Sequence, residues 1–173
     1  MILGVILAGG RSDRFGSDKA RALWRGISLI DHVRDRLATV TRRVIVCGGA
    51  FEGYEVIADP TGPALGPLGG LASALDYAYA LGFERIVTAP CDTPVLDDIL
   101  LAALVSAETD AFLGEMPVIG SWRTSLHSRL ASHLANEGNR SMRRWIDAID
   151  AVAIDLPAPP NINRRSDLDA LNG

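Results

Sequence analysis

Short apolar runs alternate with helical patterns along the first two thirds of the chain, and this alternation limits the possible folds most narrowly. Four apolar runs have the length and composition of buried strands; they cover residues 2–8, 43–48, 55–59 and 85–92. Helical patterns lie between them; they cover residues 28–40, 70–82 and 96–107. Strands separated by helices predict a three-layer α/β/α fold around a mostly parallel, Rossmann-like sheet.

The last third of the chain is less regular. Residues 110–114 and 116–122 are compatible with short strands. Two helices and a late strand are predicted next, over residues 124–138, 141–149 and 151–156. A stiff connector, PAPP, then leads into a polar tail over 161–173. The length of 173 residues suits one domain with its own core, so residues 1–173 are predicted to form a single domain.

Composition excludes several classes of protein. The net charge of −4 argues against a nucleic-acid binder, which would need a basic face. The N-terminal apolar run is too short to cross a bilayer and has no basic residues before it. We therefore expect no membrane partner and a cytoplasmic location. Cys47 and Cys91 lie in apolar runs without metal-ligand spacing, so both are expected to be buried, reduced thiols.

Parallel sheets bind ligands beyond the carboxyl ends of their strands, and the first such loop here is rich in glycine and cations. Gly9 and Gly10 let backbone N–H groups approach an anion closely. Arg14 offers a planar donor fork for phosphate, and Lys19 offers a mobile point charge. The spacing fits neither GxxxxGK[ST] nor GxGxxG. The loop therefore predicts a triphosphate site of another class.

The second loop begins at Asp59, where the third strand ends, and reaches GPLGGL over residues 66–71. A carboxylate at Asp59 can accept two parallel hydrogen bonds from guanine, whereas adenine and cytosine lack that donor pair. Gly66 and Pro67 set a fixed turn before the next helix. This loop predicts contact with a guanine nucleotide, although Asp59 could instead cap the turn before Pro60.

The third loop, PCDTP, places Asp92 directly after the fourth strand. A carboxylate there suits Mg²⁺, which commonly bridges one or two acidic side chains and substrate phosphates. The alternative is that Asp92 caps the turn through Thr93 and Pro94.

Taken together, these motifs resemble the molybdenum cofactor guanylyltransferase family of nucleotidyltransferases. The resemblance covers nearly the whole chain, and its motifs occur in the family's order. They are LAGGRSDRFGSDKA, Asp59 followed after six residues by GPLGGL, PCDTPVL, PVIGSW and NINRRSDLDAL. The resemblance implies transfer of GMP from GTP to molybdopterin with release of pyrophosphate, and it implies Mg²⁺ as the cofactor.

The resemblance also implies roles for single residues. Backbone groups of Leu7, Ala8, Gly9 and Gly10 would line the GTP site together with Gly66 and Pro67. Arg14, Lys19 and Asp92 would form the catalytic set, with Asp92 as the metal ligand and Asp59 against the guanine. Asn161 and Asn163 would lie on the acceptor side, near the metal and the pterin phosphate. Trp122 would either form a wall of the pterin pocket or lie in the core.

The chain departs from the family pattern in several places. Arg21 stands where the family usually has an apolar residue, and CGGAF, residues 47–51, stands where many members carry an Asn near the base. The family's closing motif NxN-Thr-Pro is here NINRR, and the segment 110–117 is short. These departures bear mainly on which molecule accepts the nucleotide, and the sequence leaves that question open.

Two other functions compete with guanylyl transfer. One is cytidylyl transfer by a member of the same superfamily, and the other is nucleotide or partner binding without catalysis. A further expectation is transient contact with molybdenum-cofactor enzymes or insertion proteins. Arg140, Arg143 and Arg144, beside Trp145, form either a solvated helix face or the docking surface for that contact.

Overall fold

A seven-stranded sheet carries the elements that form the site. The computed structural model describes residues 1–8, 19–58, 66–136 and 141–172. Strands in these residues are β1 (Ile2–Leu7), β2 (Leu23–Trp24), β3 (Ile27–Ser28), β4 (Arg43–Cys47), β5 (Val56–Ile57), β6 (Arg85–Pro90), β7 (Ala111–Leu113), β8 (Met116–Arg123) and β9 (Val152–Ile154). Helices are α1 (Leu29–Ala38), α2 (Pro67–Ala80), α3 (Asp98–Ser106), α4 (His127–Asn136), α5 (Met142–Ile149) and α6 (Arg165–Asn172). Two 3₁₀ turns cover Lys19–Arg21 and Thr124–Leu126.

The strands of the large sheet follow the order β5-β4-β1-β6-β8-β7-β9. Strands β5, β4, β1 and β6 are parallel, and β8 runs against β6 and β7. Leu7 at the end of β1 lies opposite Cys47 of β4 and Pro90 of β6. The loops that follow these three strands therefore leave the sheet at one edge, called here the carboxyl edge.

Helices cover both faces of the sheet. On one face α1 and α3 bury Val33 and Leu101 against Ile6 of β1. On the other face α2, α4 and α5 pack against Leu3 of β1; Trp145 is fully buried there. Alternate residues of β1 thus face opposite helical layers, as expected for a strand buried on both sides. The predicted three-layer α/β/α fold is confirmed.

Helix α2 begins at Pro67, three residues earlier than the apolar pattern predicts. Proline suits the first helical position because its missing N–H has no partner there in any case. Gly70 lies inside the helix, and a Cβ on it would come within 3.1 Å of Leu7 Cδ2. The glycines of GPLGGL therefore let the first turn of α2 approach the end of β1.

Among the strands and α-helices, three were not predicted: β2, β3 and α6. Strands β2 and β3 form a hairpin whose central residues, Arg25 and Gly26, have φ of 52° and 80°, as a two-residue type I′ turn requires. The polar tail forms α6, and Leu168 of that helix packs with Ile162 against Leu29. Among the described residues, no helix combines the length and apolar composition needed to cross a membrane.

Candidate active site at the carboxyl edge

Lys19, Asp92 and Asn163 meet at the carboxyl edge. Lys19 Nζ lies 2.5 Å from Asp92 Oδ2 and 2.8 Å from Asn163 Oδ1. The Lys19 and Asp92 side chains are only 14% and 16% exposed. One ammonium group therefore joins residues that come from the beginning, the middle and the end of the described chain.

Local structure fixes the two charged side chains in this position. Lys19 opens the 3₁₀ turn Lys19–Arg21, which is anchored by the buried Ala20. Asp92 follows β6 by two residues, and the hydroxyl of buried Thr93 donates to the carbonyl of Pro90 at 3.0 Å. Thr93 thus closes the turn, and the Asp92 carboxylate faces Lys19 instead of capping the turn through its neighbours.

The other carboxylate oxygen of Asp92 has a different environment. Asp92 Oδ1 is buried and has no hydrogen-bond partner among the described residues. A buried acceptor without a donor costs about 1–3 kcal/mol of stability. Such an atom is consistent with a site that receives a cation when its ligands are present.

The segment before α6 completes the site through backbone contacts. The Ile162 N–H donates to the Asp92 carbonyl at 2.9 Å. The N–H groups of Asn163 and Arg164 donate to Asp167 Oδ2 at 2.7 and 2.8 Å. These backbone donors lower the pKa of the Asp167 carboxyl below its usual range. Asp167 therefore holds the backbone of Asn163, whose side chain accepts from Lys19.

Four predicted site residues, Gly9, Gly10, Arg14 and Asp59, lie outside the described residues, and their roles stay predictions. Leu7 ends β1 and Ala8 follows it. The Ala8 N–H donates to the Cys47 carbonyl at 2.9 Å. The Leu7 carbonyl accepts from Cys91 N–H at 3.2 Å. These particular backbone groups are thus engaged within the protein.

The remaining predicted binding residues lie at loop ends. Gly66 has φ of +55° and immediately precedes Pro67, the first residue of α2. Asn161 is exposed and follows the PAPP connector. Cys47 is buried as expected, whereas Cys91 beside Asp92 is partly exposed, contrary to expectation.

The structure places Trp122 in the core, which is the second of the two alternatives given for it above. Its ring has no exposed surface, and Nε1 donates to Thr88 Oγ1 at 3.0 Å. In the strand register Trp122 lies opposite Ile86, near the amino end of β6 and away from Asp92. Likewise Trp145 is fully buried, while Arg143 and Arg144 on the same helix are exposed.

Sequence reasoning missed Asp167. A partial signal was available, because an acidic residue three positions after a helix cap can accept from the cap's N–H, and Asp167 follows Arg164 at that spacing. The contact between Lys19 and Asn163 spans 144 residues of sequence. No local pattern predicts such a contact.

Comparison with known proteins identifies the family of this chain. The family model for the MobA-like NTP transferase domain matches residues 4–152. A probable molybdenum cofactor guanylyltransferase of Deinococcus radiodurans is 36% identical, over 97% of this chain and 92% of that protein. A molybdenum cofactor guanylyltransferase of Rhizobium leguminosarum is 33% identical, over 96% of this chain and 90% of that protein.

The solved structures support the fold alone. Molybdopterin-guanine dinucleotide biosynthesis protein A of Archaeoglobus fulgidus superimposes with a TM-score of 0.70 at 19% identity. That match covers 98% of this chain and 96% of the archaeal chain. The family model and the full-length relatives confirm the resemblance seen in the motifs: this chain belongs to the family of MobA-like NTP transferase domains.

Proposed function

We propose that this nucleotidyltransferase transfers GMP from GTP to molybdopterin and releases pyrophosphate, as a molybdenum cofactor guanylyltransferase. Relatives with that name align with nearly the whole chain. One observation in the site carries the proposal most directly: Lys19 Nζ bridges Asp92 and Asn163 where β1 and β6 end. A mobile cation beside a buried carboxylate is what a triphosphate and its metal ion need.

The residues present fit a divalent cation. Asp92 offers a hard carboxylate oxygen, and Asn163 Oδ1 accepts from the same ammonium group. No cluster of three or more His, Cys, Asp or Glu side chains is found among the described residues. This is compatible with Mg²⁺, which commonly keeps waters and takes its other ligands from substrate phosphates. We propose that Asp92 holds Mg²⁺, which would offset charge on the triphosphate.

Lys19 has a second role in this proposal. Its ammonium neutralises Asp92 in the absence of nucleotide, and it can turn from the carboxylate to the triphosphate when GTP binds. Arg14 would donate to the same phosphates. Backbone groups of Gly9 and Gly10 would cradle them, Leu7 and Ala8 would border the site at the end of β1, and the turn at Gly66 and Pro67 would border the nucleotide. This arrangement stabilises charge that develops as the bond to pyrophosphate breaks.

The reaction needs positioning rather than a general base. A phosphate oxygen of molybdopterin attacks the α-phosphorus of GTP, a new P–O bond forms, and the bond to the β-phosphate breaks. A phosphate monoester is already largely ionised near neutral pH, since its second pKa is about 6. The side chains of Lys19 and Arg14 would therefore neutralise the anions, and Asn163 would help to align them.

Asp59 carries the choice of base in this proposal. Its carboxylate would accept from N1–H and N2–H of guanine, and cytosine cannot donate such a pair. Residues 1–173 are proposed to form one nucleotidyltransferase domain, acting in the cytoplasm. Delivery of the product to molybdenum-cofactor enzymes or insertion proteins is part of the same proposal, with exposed Arg143 and Arg144 as candidate contacts.

Pyrophosphate release tests the proposal. The purified protein is incubated with molybdopterin, Mg²⁺ and GTP, CTP or ATP, and pyrophosphate is measured with and without the acceptor. GTP should give acceptor-dependent release well above CTP and ATP. Preference for CTP would indicate a cytidylyltransferase, and nucleotide binding without release would indicate a non-catalytic protein. Either result would overturn the proposal.

The matched variants are Asp92→Asn and Asp97→Asn. Both remove one carboxylate from the same segment, but Asp97 caps α3 through Leu100 N–H at 2.7 Å, a role that Asn fills equally well. Asp92→Asn should lower kcat by about 100-fold or more, the usual loss for an electrostatic group at the reacting centre. Asp97→Asn should leave turnover close to wild type. Equal turnover in both variants would remove Asp92 from the metal role.

A further inference from the structure

Arg21 connects the turn that carries Lys19 with the loop that follows β4. Its Nη2 donates to the Ala50 carbonyl at 2.9 Å. Its guanidinium carbon lies 5.6 Å from the centre of the Phe51 ring, within the range of a cation–π contact. One exposed side chain thus contacts both the backbone and the aromatic ring of the loop over residues 48–51, called here the β4 loop.

The β4 loop needs such support because of its backbone. Gly48 and Gly49 both have positive φ, at 87° and 72°, and glycine loses more conformational freedom on folding than other residues. A Cβ on Gly49 would lie 2.7 Å from Phe51 Cε2, so the ring packs where only glycine fits. An external contact that fixes Ala50 and Phe51 therefore limits the movement of the whole loop.

The position of the loop relates it to the nucleotide. At the carboxyl edge, backbone hydrogen bonds run from Cys91 to Leu7, from Ala8 to Cys47 and from Gly48 to Ile57. The β4 loop therefore lies between the end of β1 and the end of β5. It is two strand spacings, or about 10 Å, from the end of β6 and Asp92. A nucleotide whose phosphates lie beside Lys19 and Asp92 would place its base on this side.

Lys19 and Arg21 lie on either side of buried Ala20 in the same turn. Lys19 reaches towards Asp92, whereas Arg21 reaches towards Ala50, in the opposite direction along the edge. Resting on the function proposed above, we propose that Arg21 is a positioning residue that holds the β4 loop in place against the base of GTP. It acts through the exposed backbone of Gly49 and Ala50, without contacting the phosphates.

This role predicts a separation between binding of the base and binding of the phosphates. Arg21→Ala should raise the KM and the Kd for GTP by about 5-fold, which corresponds to about 1 kcal/mol, and should leave kcat within about 2-fold. Binding of inorganic triphosphate with Mg²⁺ should not change. Arg21→Lys keeps the charge but loses the planar fork, and Phe51→Leu loses the ring; each should show part of the effect.

The experiment combines isothermal calorimetry with steady-state kinetics on the full chain. GTP and inorganic triphosphate, each with Mg²⁺, are titrated into the wild type and the variants. Lys19→Met should weaken both ligands. Arg25→Ala is the matched control, since Arg25 is another exposed arginine that also stacks on an aromatic ring, that of Trp24 in the β2–β3 hairpin; this variant should bind both ligands like the wild type.

Two results would overturn the inference. If Arg21→Ala weakened inorganic triphosphate as much as GTP, Arg21 would be a phosphate ligand. If GTP binding were unchanged, the β4 loop would not need Arg21. Failure of the proposed function gives a different result. The wild type would then bind GTP without releasing pyrophosphate, or it would prefer another nucleoside triphosphate. In the second case, the variants of Arg21 are compared with that nucleotide in place of GTP. A wild type that bound no nucleoside triphosphate would overturn both proposals.

Discussion

Replacing Lys19 by methionine should tighten the binding of a divalent cation in the absence of nucleotide, although the same change should abolish turnover. Lys19 Nζ lies 2.5 Å from Asp92 Oδ2, so the ammonium group and a metal ion compete for one carboxylate. Methionine preserves much of the side-chain length and apolar contact but removes the charge. The variant therefore leaves the carboxylate open to the metal.

The size of the effect follows from the burial of the pair. Exposed ion pairs contribute about 0–1 kcal/mol, whereas hydrogen bonds to charged groups contribute about 1.5–3 kcal/mol. At 14% and 16% exposure, the Lys19–Asp92 pair belongs to the second group. Taking its lower end, about 1.5 kcal/mol, the metal should bind roughly 10-fold more tightly once the competing ammonium is gone.

Mn²⁺ is a suitable probe, because its binding can be followed by water proton relaxation without any nucleotide. Arg25→Met is the control, since it lowers the net charge by one as Lys19→Met does, but at an exposed hairpin residue. With GTP present the order should reverse, because the triphosphate loses its cation in Lys19→Met. Mn²⁺ binding that is unchanged or weaker in nucleotide-free Lys19→Met would refute the competition between ammonium and metal.

Lys19 is also the single lysine of the chain. Reductive methylation with ¹³C-formaldehyde therefore labels one side chain besides the terminal amine. Its resonance should move when Mg²⁺, which is diamagnetic, displaces the ammonium from Asp92. An Asp92→Asn protein, labelled in the same way, should show no such shift.

Two further predictions concern stability and pH. Gly120→Ala would place a Cβ 2.3 Å from the Trp122 ring and 2.9 Å from the Ala111 carbonyl; overpacking of this kind costs about 1–3 kcal/mol, or a Tm lower by about 3–9 °C. In Gly114→Ala the new Cβ would lie 3.7 Å from the Ile154 carbonyl oxygen, an ordinary contact, so the Tm measured by calorimetry should stay near that of the wild type. Equal Tm values for the two variants would contradict the packing argument. Because the folded pKa of Asp167 is lowered, its contribution to stability is complete only well above the ordinary aspartate pKa and is lost as the pH falls through the lowered value. Carbon NMR of the Asp167 carboxyl should give a titration midpoint below that of an ordinary aspartate, and an ordinary or higher midpoint would show that the backbone donors do not hold the carboxylate.

The periodic parts of the fold were predictable because burial on two faces leaves a strong local pattern. The apolar strand β1 and the helix α1 lie close to their predicted residues. The hairpin β2–β3 escaped notice because its strands have two residues each and its turn begins with Arg25 in place of the usual Asn or Asp. Helix α6 was missed because its polar sequence has little periodicity and its packing depends on Leu29, far away in sequence.

The residues of the site also fall into those that the sequence could predict and those that it could not. Strand ends identify Lys19 and Asp92 as neighbours, since parallel strands bring their following loops to one edge, and the structure joins them in one ion pair. Trp122 had two possible positions in the sequence analysis, because a motif position does not say towards which end of a strand a ring points; the structure places it in the core. Asn163 could be named from the resemblance, but its contact with Lys19 depends on how the last helix docks. The phosphate contact of Arg14 and the guanine contact of Asp59 remain predictions.

The span between Lys19 and Asn163 has a consequence for biosynthesis on the ribosome. The first strand is made early and ends up in the middle of the sheet, between β4 and β6, whereas Asn163 is translated 144 residues after Lys19. A nascent chain can therefore assemble most of the sheet while Lys19 Nζ still lacks its contact with Asn163 Oδ1. We expect nucleotide processing to begin only after the segment around Asn163 has left the exit tunnel and docked, so that stalled translation products would be folded but inactive.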